Sequence, residues 1–352
     1  MFSNLPFSYM FVFTMMVGTL FSVSSSHWLG IWAGLEINLI GFLPLLVYQK
    51  SMAESESAVK YFVVQALGSS LLMFGSLSSY TLSFSWDIAN VNSYYIMTIF
   101  ILSCGLSMKM GLFPFHFWLP SVMAGLPWIS CLLLATWQKF APIFLMSSLL
   151  DVNLSYWMAL IMSLMCTGSS LMGGVGGMNQ TQIRALLAYS SIGHLGWIVF
   201  SLLYGDWIMK MYLLVYVLIS TCVFTSLWYM DLSNMKSLVK FNQKKVLEMG
   251  IMIMLMSLGG LPPLLGFVSK WLVISVSMTS ALWGVLFFLI LGSLLSLFYY
   301  LSLFFCMFLG EASKSPLLLK NNVKLMLLIN MIIILNLVGG ILLFMSGAMM
   351  SL

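Results

Sequence analysis

Apolar stretches follow one another along almost the whole chain, separated by short polar connections, and no soluble domain interrupts them. A helix needs about 20 apolar residues to cross a bilayer. On that measure the spans fall at roughly 8–25, 28–48, 58–80, 94–124, 128–149, 155–173, 181–203, 209–231, 246–277, 281–307 and 324–346. The expected fold class is an all-α polytopic membrane protein with about eleven transmembrane helices. It is read as a single membrane domain over 1–352, with a core at about 8–307 and a C-terminal helix at about 324–346. The N-terminal stretch lacks a positively charged leader region and a small-residue cleavage pattern, so it reads as the first membrane helix.

Two spans, 94–124 and 246–277, are too long for one straight crossing. Each contains a Gly/Pro cluster, "GLFPF" at 111–115 and "GGLPPLLG" at 259–266. A half-helix, an irregular turn and a second half-helix account for both, and such backbone is tolerated at membrane depth only when buried in protein or lining a cavity. A plain proline kink is the alternative for either one alone. A pair of interrupted spans with a lysine near each favours a transport site built on inverted repeats.

Charge fixes the expected orientation. With alternate loops assigned to two sides, one side collects Lys50, Lys60, Arg184, Lys236, Lys240, Lys244, Lys245, Lys314, Lys320 and Lys324. The other collects Lys210 with Asp87, Asp151 and Asp206. By the positive-inside rule the basic side is the cytoplasm or the mitochondrial matrix, with the N-terminus there and the C-terminus opposite. The basic run at 237–248 serves this asymmetry and also suits anionic lipid head groups or a partner subunit.

Composition agrees: 61% of residues are hydrophobic and 7% charged, where soluble domains carry about 25% charged residues. The net charge of +5 sits at membrane ends, which argues against nucleic acid as a partner. The five cysteines lie singly in apolar runs, without CxxC spacing. No nucleotide-binding, haem or zinc signature is present, so redox or hydrolytic chemistry is not expected on this chain.

A few ionisable residues lie deep within spans: Glu36, Lys109, Lys139 and Lys270, with His116 and His194. An ionised group at the bilayer centre costs about 2.5–3.5 kcal/mol on insertion scales, and such groups usually mark ion or proton routes. Lys109 stands just before the first break and Lys270 just after the second; Lys139 lies near the middle of its span beside Thr136 and Gln138. Desolvation disfavours a lysine's charged form and a nearby carboxylate favours it, so a break that admits water gives a buried lysine a way to change its protonation. Glu36 is the carboxylate expected to meet Lys109. The histidines suit proton relay because imidazole titrates near neutrality; an ordinary hydrogen-bonded core histidine is the alternative, as good a reading for His194 and a slightly better one for His116. His27 reads as interfacial, and Arg184 and Lys60 as inner-surface anchors.

The segments "WLGIWAGLEINLIGFLPLL", "KYFVVQALGSSLLM", "MKMGLFPFHFWLPSVMAGLPW", "LLLATWQKFAPI", "GGMNQTQIRALLAYSSIGHLGW" and "SLGGLPPLLGFVSKWLV" resemble, in order, the subunit 2 family of mitochondrial NADH:ubiquinone oxidoreductase, respiratory complex I. The resemblance runs from about residue 10 to 305 and is of the animal type. It implies an antiporter-like, inverted-repeat architecture lacking the first three helices of the bacterial form. It implies a proton-translocating subunit of the membrane arm in the mitochondrial inner membrane, with its N-terminus in the matrix and its C-terminus in the intermembrane space. Glu36 and Lys109 match the family's glutamate–lysine pair, Lys139 its central lysine and Lys270 the lysine of its second broken helix. His116 and His194 fall in family motifs. Flavin mononucleotide (FMN), iron–sulfur clusters and ubiquinone are expected on other subunits, with no cofactor on this chain. The implied partners are other membrane-arm subunits, including neighbouring antiporter-like ones, and lipid such as cardiolipin. A free-standing cation/proton antiporter and a structural membrane scaffold are the competing functions.

Overall fold

The computed structural model describes residues 7–47, 51–88, 96–152, 155–230, 245–262, 264–278, 282–312 and 336–341. Lys50, Lys236, Lys240, Lys244, Lys314, Lys320 and Lys324 lie outside them, as does most of the expected C-terminal span. Helix dominates throughout. Seven helical stretches among the described residues are long and apolar enough to cross a membrane, counting Trp128–Val152 as one.

The chain divides into two compact units, Met1–Met165 and Cys166–Leu352. The first holds α1 (Ser8–Ser24), α2 (Trp28–Leu46), α3 (Met52–Ser83), α4 (Ile96–Met110), α5 (Trp118–Gly125), α6 (Trp128–Ala135), α7 (Trp137–Val152) and the start of α8 (Tyr156–Met178). The second holds the rest of α8, then α9 (Ile183–Leu202), α10 (Asp206–Met230), α11 (Lys245–Gly259), α12 (Leu265–Ser277) and α13 (Trp283–Ala312), with helical backbone again at 336–341.

In the first unit α1 lies along α2, α3 along α4, and α7 against α4 and α1. Without a hydrophobic driving force between helices in lipid, close packing depends on small residues. Gly18 faces Gly34 and Asn38 across α1 and α2, and a Cβ on Gly18 would stand 2.5 Å from the Asn38 nitrogen. The Ser51 hydroxyl accepts from the Glu54 N–H, which starts α3 ahead of the apolar run and makes it longer than the expected 58–80. On the opposite side, the Trp28 N–H donates to the Trp86 carbonyl at 3.0 Å and the Ile88 N–H to the Ser26 carbonyl at 3.1 Å. His27 and Asp87 pair there at 2.6 Å. This small clamp puts the α1–α2 connection beside the end of α3, as alternating spans require.

In the second unit α11 packs on α13 and α10, and α10 also meets α9 and α12. Nearly every residue of α9 is buried, including the polar Ser190, Ser191 and His194.

The expected 94–124 and 246–277 segments both leave the helix at their Gly/Pro clusters. The segment at 128–149, read as one ordinary span, also divides, at Thr136 (φ −114°, ψ −73°). No Gly or Pro marks that point. The Thr136 hydroxyl donates to the Leu132 carbonyl at 2.7 Å, a local bond that competes with regular helix.

Candidate functional site

The first break is built as a helix C-terminus. Gly111 has φ +80°, its N–H and that of Leu112 both donate to the Ser107 carbonyl, and α4 closes as a Schellman-type end. Two further terminal carbonyls find side chains. Trp118 Nε1 donates to the Met108 carbonyl at 3.2 Å, and Gln65 Nε2 donates to the Lys109 carbonyl at 3.3 Å. With those carbonyls served by neutral donors, the buried Lys109 ammonium stands 4.0 Å from Glu36 Oε1. Lys109 sits in the last turn of α4, where the helix dipole favours a cation. Its side chain is 3% exposed, against 26% for Glu36. Glu36 Oε1 is buried and has no hydrogen-bond partner, so Lys109 is the charge that offsets it.

Around this pair lies a polar layer. Asn38 and Gln138 exchange two amide hydrogen bonds, Asn38 Nδ2 to Gln138 Oε1 at 2.9 Å and Gln138 Nε2 to Asn38 Oδ1 at 3.1 Å. They tie α2 to α7, Glu36 standing two residues before Asn38 and Lys139 directly after Gln138 in sequence. The Tyr61 hydroxyl also reaches Gln138 Oε1, at 3.5 Å, and its ring contacts Phe42 and Trp118. Lys139 is buried in the first turn of α7, just past the Thr136 break. His116 lies in the turn between α4 and α5, buried against Phe113 and Phe117, its Nδ1 without a well-formed hydrogen bond although the Pro114 backbone lies close by.

The second break repeats the first in the other unit. Gly260 has φ +84°, and its N–H and that of Leu261 both donate to the Met256 carbonyl, again a Schellman-type end. Here the lysine itself completes the cap: Lys270 Nζ donates to the Gly259 carbonyl at 2.9 Å. Lys109 precedes its glycine and Lys270 follows, yet both lysines serve the C-terminal end of a first half-helix. On the far side of the break, the Leu265 N–H at the start of α12 donates to Asn336 Oδ1 at 3.1 Å, which satisfies one orphan donor of that helix. His194, in α9, holds Tyr212 of α10 at 3.0 Å between Nδ1 and the phenol oxygen, and the Tyr216 ring is 5.2 Å away.

The structure therefore joins Glu36 to Lys109, buries Lys139 in the first turn of α7, and gathers His194 and Lys270 around one cavity in the second unit. Tyr61, Tyr212 and Asn336 are partners that sequence reading did not find. Buried tyrosines and a lone asparagine give no periodic signal, and their partners lie far along the chain. Among the described residues no group of three His, Cys, Asp or Glu side chains could hold a metal ion.

Comparison with known proteins gives a consistent picture. A family described as NADH:quinone oxidoreductase/Mrp antiporter, TM, matches residues 25–298. NADH-ubiquinone oxidoreductase chain 2 of Lumbricus terrestris is 38% identical over 293 residues, covering 82% of this chain and 83% of that one. The protein of the same name from Anopheles gambiae is 38% identical over 320 residues, 89% of each chain. Among solved structures, a chain of respiratory complex I from Thermus thermophilus with bound aureothin superposes with TM-score 0.81 at 27% identity, over 95% of this chain and 78% of that one. A chain of the Mrp complex from Dietzia shares the fold, with TM-score 0.76 at 16% identity, over 87% of this chain and 61% of that one.

Proposed function

On the premise that this chain belongs to the NADH:quinone oxidoreductase/Mrp antiporter transmembrane family, alongside the NADH-ubiquinone oxidoreductase chain 2 proteins, we propose that it is a proton-translocating core subunit of the membrane arm of respiratory complex I. The observation that carries this reading is the Glu36–Lys109 pair, 4.0 Å apart with the lysine buried, at the end of a broken helix. A buried ion pair is weak evidence for stability, and an ammonium beside a helix break is placed to exchange protons with water. Lys139, Lys270 and His194 continue the proton route, with His116 at the first break. Electron transfer on other subunits shifts the charge state of Glu36–Lys109, and that shift passes to Lys139 and Lys270 and drives proton release outward.

The same reading completes the architecture: a single membrane domain of eleven spans, two of them discontinuous, arranged as inverted repeats without the first three helices of the bacterial form. It places the chain in the mitochondrial inner membrane, N-terminus in the matrix and C-terminus in the intermembrane space. Neighbouring antiporter-like subunits and cardiolipin are its contacts; FMN, iron–sulfur clusters and ubiquinone are held elsewhere in the complex.

The test is NADH-driven proton uptake in membrane vesicles carrying Lys109→Met or Lys139→Met. Each variant should assemble, seen by co-migration with the NADH-oxidising band on a native gel, and should lose most proton uptake, by about tenfold or more, equivalent to at least about 1.4 kcal/mol. Normal uptake in assembled enzyme would remove these lysines from the route. Migration of the chain as a small free species that carries protons alone would make it a free-standing antiporter.

A further inference from the structure

We propose that Tyr299 is a positioning residue, holding a water molecule in the cavity shared by His194 and Lys270 and so setting proton passage between them. The inference rests on the reading that His194 and Lys270 move protons.

The cavity lies within the second unit and is lined by Ser190, His194, Lys270, Ser293, Ser296 and Tyr299, with room for about one water. Its serines already spend their protons on their own helices. Ser190 donates to the Leu187 carbonyl at 2.8 Å, Ser293 to Ile290 at 2.9 Å and Ser296 to Ser293 at 2.7 Å. Toward the cavity they offer lone pairs only. Tyr299 is 2% exposed, and its hydroxyl is buried without a well-formed hydrogen bond, although the Ser296 and Tyr300 hydroxyls both lie close by. Its ring is held in place: a Cβ on Gly177 would stand 2.6 Å from Tyr299 Cε1, and the Tyr300 ring is 4.7 Å away. Buried hydroxyls are almost always paired with protein or ordered water. A water here accepts from Tyr299, donates to a serine oxygen, and lies beside the two nitrogen groups that share the cavity. It satisfies the hydroxyl and meets the two-to-four polar partners that a buried water needs.

Such a water moves a proton without being consumed. It takes a proton from one nitrogen group as it gives one of its own to the other, and ends as water. Tyr299 fixes where its oxygen sits and leaves the two nitrogens as donor and acceptor.

The test is Tyr299→Phe in the assembled complex, which removes the hydroxyl and keeps the ring against Gly177. A cryo-EM map fine enough to show ordered waters should show one within hydrogen-bond distance of the Tyr299 oxygen, absent in the variant. Coupled turnover of the variant should fall several-fold, with a shifted pH profile and a larger solvent deuterium isotope effect, at normal assembly. A dry cavity in the unaltered protein, or a variant with unchanged turnover and pH profile, would overturn the proposal. If Tyr299→Phe does not assemble, Ser296→Ala alters the water's other neighbour while sparing the ring, and unchanged coupling there would overturn it equally. Lys270→Met separates the two levels. Normal pumping in that variant means the reading of the site itself is wrong; loss of pumping there with full activity in Tyr299→Phe removes only the tyrosine's role.

Discussion

At the scale of single residues, the chain places its polar groups where losing one partner strands the other. Asn38 and Gln138 illustrate this, because each amide satisfies the other through two hydrogen bonds. Replacing Gln138 by Leu leaves the Asn38 amide buried and unpaired, at a cost of about 1–3 kcal/mol. The expected result is a lower yield of assembled complex and faster heat inactivation. The Asn38→Leu/Gln138→Leu double variant should recover part of the loss, since removing both partners is far less costly than removing one. A double variant no better than Gln138→Leu alone would show that the amides do more than satisfy each other. The charged residues of the candidate site were legible in the sequence because ionisable groups are rare within apolar runs, and Glu36 was the carboxylate expected near Lys109. The amide pair was not legible: its members are polar but uncharged, and they stand 100 positions apart. The same holds for Tyr212 on His194 and Asn336 at the start of α12.

At the scale of elements, the two breaks share one construction: a left-handed glycine, a 6→1 backbone bond, and a lysine at the negative end of the first half-helix. Glycine is required at both, since a side chain in the left-handed region costs about 1–2 kcal/mol. The two glycines differ in what a Cβ would meet. At Gly260 it would stand 2.9 Å from Lys270 Nζ; at Gly111 it would stand 2.9 Å from a Leu119 methyl. Gly260→Ala and Gly111→Ala should therefore lower complex stability to a similar degree, while only Gly260→Ala pushes a lysine directly off its carbonyl. Proton uptake per NADH oxidised should fall more in Gly260→Ala than in Gly111→Ala, measured on equal amounts of assembled enzyme. Equal losses would mean that the Lys270–Gly259 contact is only a helix cap. These breaks were legible because Gly and Pro punctuate helices so strongly. The division between α6 and α7 was not, because a threonine bonded to its own helix carries no comparable signal.

At the scale of the whole molecule, each compact unit contains one helix ended by a left-handed glycine with a lysine at that end, Lys109 in the first and Lys270 in the second. Two such units act on protons either in series, as parts of one route, or independently, as parallel routes. Free-energy reasoning separates these. Residues that act as one unit are grossly non-additive when removed together, whereas the losses from independent parallel routes add. The proposed function requires series action, because a charge shift that begins at Glu36–Lys109 reaches Lys270 only through the steps before it. The Lys109→Met/Lys270→Met double variant should then retain about the same proton uptake as the more damaged single variant. Parallel routes carry fluxes that add, so each single variant would lose only its own share and the double variant would lose the sum of the two single losses. Both outcomes are read from one set of vesicles, with assembly checked on the native gel and uptake normalised to it. Additive losses would leave each unit's lysine functional and remove the idea that one charge shift drives both. Series behaviour would identify the repeated break as the element through which a local change of charge becomes transport by the whole chain.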